Sequence, residues 1–120
     1  MDLRKKVIGI VLALILLLSG VFHFVNPEMY FPLTPDFASK YLLNYLVGGA
    51  EILLGVGVFI ASYRRLALLG ICLLMIVFLP VHIYDAMRDD PFVGSKTIAY
   101  VRLAIQLVLI YLPLFARKAK

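Results

Sequence analysis

The chain has 120 residues, 63% of them hydrophobic and 16% charged, and twelve Lys and Arg against seven Asp and Glu give a net charge of +5. That length supports a single domain, residues 1–120, and a soluble domain of that size has too little interior to hide so much apolar side chain. With mean hydropathy at +1.00, lipid is the natural solvent, and the lone Cys72 excludes both an intrachain disulfide and a CxxC redox pair.

Basic residues Arg4, Lys5 and Lys6 precede a first apolar run over 7–25. At ~1.5 Å per residue the run is long enough to cross ~30 Å of hydrocarbon. No small-x-small cleavage pattern precedes Phe22-His23, so it reads as a retained helix rather than a signal peptide. His23, near its end, shares a face with Ser19 and Gly20. The loop that follows, NPEMYFPLTPDFASK, holds three prolines and the aromatics Tyr30, Phe31 and Phe37. Proline excludes a long regular helix there, and aromatic rings suit headgroup depth, so a short cap over the end of a helical bundle is expected.

The second run, 41–62, contains GGAEILLGVG, a carboxylate among glycines and aliphatics. Asn44, Gly48, Glu51 and Gly55 follow i, i+4, i+7, i+11 spacing and fall on one narrow stripe. The glycines permit close approach of a neighbouring backbone, so Glu51 is expected to face protein. A third run, 66–84, contains Pro80 and His82, with Asp85 just beyond it; a fourth, 97–114, carries Arg102 and Gln106 on one face. Together the pattern predicts an all-α, integral-membrane four-helix bundle.

Lys and Arg are concentrated at the N-terminus, at Arg64-Arg65 and at Arg117, Lys118 and Lys120, whereas the two longer loops also carry the acidic residues. By the positive-inside rule both termini face the cytoplasm and the 26–40 and 85–96 loops face outward. The same clustering suits anionic headgroups better than a nucleic-acid face, and no RNP-like or zinc-finger signature is present.

Helical rise places Glu51 about 15 Å below the outer end of its helix, with Gln106 at almost the same level and Arg102 about one turn higher. A lone charge at the bilayer centre costs roughly 2.5–3.5 kcal/mol, so a Glu51–Arg102 ion pair with Gln106 as a further donor is expected. His23, Asn44, His82 and Asp85 complete the candidate cluster: seven polar residues in the outer half of the bundle, serving either as a helix lock or as a seat for a partner or amphipathic ligand. No catalytic residue is assigned. The serines lack a G-x-S-x-G elbow, the glycines lack a P-loop continuation, and the histidines lack the tight spacing of a metal site.

Four segments, SGVFHFVNPEMYF, YLVGGAEILLGVGVFI, RRLALLGICLLMIVFLPVHIYDA and VRLAIQLVLI, resemble in order the DoxX-like family of small four-helix membrane proteins. A more distant similarity, around Gly49–Gly55, His82 and Asp90-Pro91, is to the nicotinic-receptor assembly chaperone NACHO. The resemblance implies a bundle in a bacterial cytoplasmic (inner) membrane. Some members of that family resemble subunits of thiosulfate:quinone oxidoreductases, so a bound quinone is one expectation. The fold is also similar to thiol oxidoreductases of the VKOR type, whose paired cysteines this chain lacks. The leading expectation is a non-catalytic accessory or chaperone-like membrane protein, with a membrane-protein partner or a homodimer as its assemblies and no cofactor. The alternative is a quinone-linked subunit of an oxidoreductase, and the third reading is a small transporter acting as an oligomer.

Overall fold

The computed structural model describes residues 2–92 and 94–118; Lys120 of the C-terminal basic run lies outside them. Four α-helices form where the apolar runs predict them: α1 (Leu3–Val25), α2 (Lys40–Phe59), α3 (Arg64–Met87) and α4 (Lys96–Ala116). Three begin at side-chain caps. Asp2 Oδ1 accepts from the Lys5 amide at 2.9 Å, Ser39 Oγ from Leu42 at 3.3 Å, and Ser95 Oγ from Ile98 at 3.2 Å. Each helix is long and apolar enough to cross a membrane.

The ends differ from the hydropathy boundaries. The second helix stops at Phe59 rather than 62, where the Arg64 side chain reaches back and donates from Nε to the Val58 carbonyl at 2.7 Å. The third runs on to Met87, so Asp85 lies inside its last turn rather than beyond it. Hydropathy marks where the chain is apolar; the hydrogen-bond ladder ends where its terminal carbonyls find partners. Between α1 and α2, Pro27–Leu33 form a 3₁₀ helix, the short cap expected of that proline-rich loop.

The helices pack as two hairpins. α1 lies tightly on α2 and α3 tightly on α4, while the α2–α3 and α1–α4 seams that join the hairpins are sparser. In this square, α2 and α4 stand diagonally opposed. Glycines set the closeness of the first hairpin. A Cβ on Gly20 would lie 2.8 Å from the Gly48 carbonyl oxygen, and one on Gly48 would lie 2.9 Å from that of Gly20. The backbones are in contact, the arrangement expected of a small-residue stripe.

A compact apolar core of Leu12, Leu16, Val58, Leu68, Ile71 and Met75 fills the half of the bundle near the chain termini and the α2–α3 turn. Large apolar side chains such as Leu53 (74% exposed) and Val77 (66%) cover the outer faces, a surface suited to hydrocarbon.

The basic residues at the core end have a second employment that charge counting does not reveal. Lys5, expected to meet headgroups, is buried at 2% exposure; its Nζ donates to the Lys118 carbonyl at 3.3 Å and lies 5.7 Å from the centroid of the Phe115 ring. Arg65 Nε donates to the Arg117 carbonyl at 2.9 Å, and Arg117 Nε returns a bond to the Arg65 carbonyl at 3.4 Å. The C-terminal ends of α2 and α4 both emerge here with free carbonyls and negative dipole ends, and cations satisfy both needs.

Candidate functional site

The other half of the bundle is not filled. A cavity of about 600 Å³ opens between the two hairpins beneath the 3₁₀ cap, with apolar walls from all four helices and a few polar side chains. Its polar floor is built on the stripe of α2, where Asn44, Gly48, Glu51 and Gly55 are all buried as the spacing predicts. Because Gly20 and Gly48 let α1 come so close, Ser19 and His23 stand directly against that stripe.

Proton positions follow from the acceptors. Asn44 Nδ2 lies 2.8 Å from the Lys40 carbonyl and 3.1 Å from Thr34 Oγ1. A carbonyl only accepts, so the amide nitrogen faces it and Asn44 Oδ1 faces His23. Asn44 Oδ1 therefore accepts from His23 Nδ1–H at 2.8 Å. Thr34 Oγ1 in turn donates to the Tyr30 carbonyl at 2.8 Å, and the Tyr30 ring stacks on His23 with centroids 3.9 Å apart. The cap is thus tied to both α1 and α2 through Asn44.

On the other side of the ring, His23 Nε2 faces Glu51 Oε1 at 3.3 Å, and the same oxygen accepts from Ser19 Oγ–H at 3.1 Å. A proton held on either group lets the two sit side by side without leaving a bare carboxylate in the bundle. Tyr30, outside the long helices, contributes a phenol that burial holds above its ordinary pKa, so it remains protonated at neutral pH.

The expected Glu51–Arg102 ion pair does not form: among the described residues Glu51 pairs with His23, and Arg102 with no carboxylate. α2 and α4 are diagonal neighbours, and Glu51 faces α1. Arg102 Nη1 instead donates to Gln106 Oε1 at 3.2 Å. Gln106 is completely buried and spends its amide on α3, donating from Nε2 to the Met75 carbonyl at 2.8 Å. Pro80 removes the helical amide for the neighbouring Ile76 carbonyl, so the Met75 bond is an addition to the ladder rather than a replacement for the one proline takes away.

Of the seven expected residues, His23, Asn44, Glu51, His82 and Arg102 line the cavity, and Gln106 and Asp85 do not. Gln106 is a strut behind the wall. Asp85 (2% exposed) accepts from the Phe92 amide at 2.7 Å and from Arg88 Nη1 at 3.5 Å, so it ties down the α3–α4 loop rather than joining the cavity cluster. Asp85→Ala orphans the Phe92 amide, and a loss of about 1–2 kcal/mol in unfolding free energy is expected, with Asp89→Ala, at an exposed position, near zero. Among the described residues His82 Nδ1 has no hydrogen-bond partner. Three polar wall residues were not anticipated as site residues: Ser19, Tyr30 and Thr34. Ser19 and His23, one turn apart on α1, carried a usable signal, since a polar pair beside Gly20 mirrors the Gly48–Glu51 pair of α2. Nothing in the loop sequence marks Thr34. Among the described residues no three His, Cys, Asp or Glu side chains gather as a metal site.

The profile of a domain of unknown function, DUF8561, matches residues 12–117, nearly the whole chain and every element that lines the cavity. The chain belongs to the DUF8561 family. No curated protein and no solved structure matches it. The matched range takes in both helical hairpins, the cap between α1 and α2, and all five of the expected residues that reach the cavity, so the site lies within the DUF8561 domain itself.

Proposed function

We propose that this DUF8561 protein is a non-catalytic accessory protein of a bacterial cytoplasmic membrane, related to the DoxX-like proteins, that holds an amphipathic small molecule between its two hairpins. One observation carries the reading: a cavity of about 600 Å³, apolar on its walls and polar at its floor, inside a bundle whose outer surface is itself apolar. Small-molecule sites have this size and this distribution of few convergent polar groups among hydrophobic side chains. An amphiphile reaching the cavity from the bilayer keeps its tail among Leu16, Val47, Phe78 and Leu109 while its head meets the polar side chains.

Native mass spectrometry of protein extracted in mild detergent is the direct test. A discrete bound mass in the range of a single-tailed amphiphile is expected, and Val47→Phe, which fills part of the cavity, should reduce its occupancy severalfold. Protein that emerges with no bound species and takes up no added amphiphile overturns the proposal.

The proposed orientation places both termini in the cytoplasm and the cap outside. In a Cys72→Ser background, Asp36→Cys and Asp89→Cys should react with a membrane-impermeant maleimide on intact cells, and Arg4→Cys and Lys118→Cys only after lysis. The reverse pattern inverts the topology.

A quinone-linked redox subunit is a second reading, favoured by the His23–Glu51 contact beside the stacked Tyr30 ring. It predicts quinone reduction by the isolated chain that Glu51→Gln abolishes; absence of turnover leaves the accessory role.

A further inference from the structure

The cavity wall opposite the His23–Glu51 pair carries a cation that makes no ion pair among the described residues. Among the described residues, Arg102 is the one Lys or Arg lining the cavity and Glu51 the one carboxylate. Glu51 is engaged by Ser19 and His23 on the α1 side rather than by Arg102. Of the five guanidinium N–H groups of Arg102, the protein engages one, through Gln106 Oε1, which is itself uncharged. The rest of the fork is half-buried and uncommitted. Holding a cation in an apolar site without an anion is costly, and a planar fork with free donors matches a carboxylate or phosphate oxygen pair.

His82 belongs to the same wall. It lies about 7–8 Å below the outer end of α3 and Arg102 about 9 Å below that of α4, so antiparallel packing puts the two at one level. Both side chains line the cavity, and among the described residues no hydrogen bond anchors the His82 ring through Nδ1. An imidazole so placed can turn to donate to an oxyanion bound at Arg102. The floor, by contrast, has spent its groups on one another: Ser19, His23, Asn44 and Thr34 each have protein partners.

Resting on the proposed cavity function, we infer that the occupant is an anionic single-tailed amphiphile, its carboxylate or phosphate-monoester head bound by Arg102 and His82 and its acyl tail lying between the hairpins. A volume in the middle of the small-molecule range favours one tail over the two of a bilayer phospholipid.

The experiment compares head groups on one tail. Delipidated protein in detergent is titrated with palmitate, palmitoyl lysophosphatidate, hexadecanol and palmitoyl lysophosphatidylcholine, with bound fraction read by native mass spectrometry. One or both anions should bind roughly ten- to a hundredfold more tightly than hexadecanol, the margin expected of a charge-assisted hydrogen-bonded contact, and which of the two binds better identifies the head. Arg102→Gln should erase that margin and leave hexadecanol unchanged, and Arg102→Lys should keep part of it. The comparison within the unaltered protein stands even where Arg102→Gln folds poorly. Equal binding of all four amphiphiles overturns the anion while leaving the cavity function intact. Binding of none overturns both.

Discussion

Gly48→Ala is expected to lower the stability of the bundle by about 1–3 kcal/mol, while Gly49→Ala, the next residue, raises it by up to about 0.5–1 kcal/mol. The two substitutions are chemically identical and adjacent in α2, and both exchange a poor helix former for the best one. What separates them is direction. A methyl group on Gly48 would stand 2.9 Å from the Gly20 carbonyl oxygen, from His23 Cβ and from Phe24 Cε2. Two of those three atoms belong to backbone or to the root of a side chain, so neither can swing aside and α1 must move. A methyl group on Gly49 meets nothing within 4 Å. Thermal melts of the two variants in the same detergent measure the difference. Changes of the same sign would mean that the α1–α2 contact is not the close one described. Because His23 rides on the segment of α1 that moves, Gly48→Ala should also weaken retention of any amphiphile, which Gly49→Ala should leave alone.

The same contact explains which part of the site was legible in the sequence. Asn44, Gly48, Glu51 and Gly55 could be placed on one buried face because helical periodicity is a local property, and the face is buried as expected. Arg102 and Gln106 were correctly set on a common face, and Gln106 Oε1 does accept from Arg102. The partner of Glu51 was another matter. Rise per residue gives height along a bundle, but helix order around it is a tertiary property, and a match in height is shared by every helix that passes the level. His23 and Ser19 won over Arg102 because the glycine stripe selects α1 as the neighbour of that face. Lys5 shows the converse limit. A lysine in a terminal basic run reads as a headgroup contact, yet the free carbonyls at the end of α4 draw it inward, and no sequence pattern in the first helix encodes where the fourth one ends. Thr34 is invisible for a similar reason: a loop hydroxyl acquires a role only when the cap folds over Asn44.

Asn44→Leu is expected to cost about 2–4 kcal/mol and, more diagnostically, to release the cap. Asn44 is bonded at once to α1, to its own helix and to the loop: it accepts from His23, and donates to the Lys40 carbonyl and to Thr34. Leucine keeps the bulk and removes all three bonds. The Lys40 carbonyl retains its place in the helix, so its loss is small. His23 Nδ1–H, buried, is left without an acceptor, and a buried donor without a partner costs about 1–3 kcal/mol. The His23 ring is then held only by Glu51 and by its stack on Tyr30. Asn44→Asp separates acceptor from donor. It still takes the His23 bond but sets a carboxylate oxygen against the Lys40 carbonyl and gains a charge, so it should be at least as damaging as leucine. Amide hydrogen exchange distinguishes a loosened cap from a globally weakened bundle. In Asn44→Leu the amides of residues 28–34 should exchange faster by more than those of α3, because the cap loses its tether while the apolar core around Leu68 and Ile71 is untouched. Uniform acceleration across all four helices would instead assign Asn44 to the stability of the whole fold. A cap released in this way opens the wall formed by Tyr30, Leu33 and Thr34, so the variant should exchange bound amphiphile faster than Val47→Phe does, whose cavity is smaller but still closed.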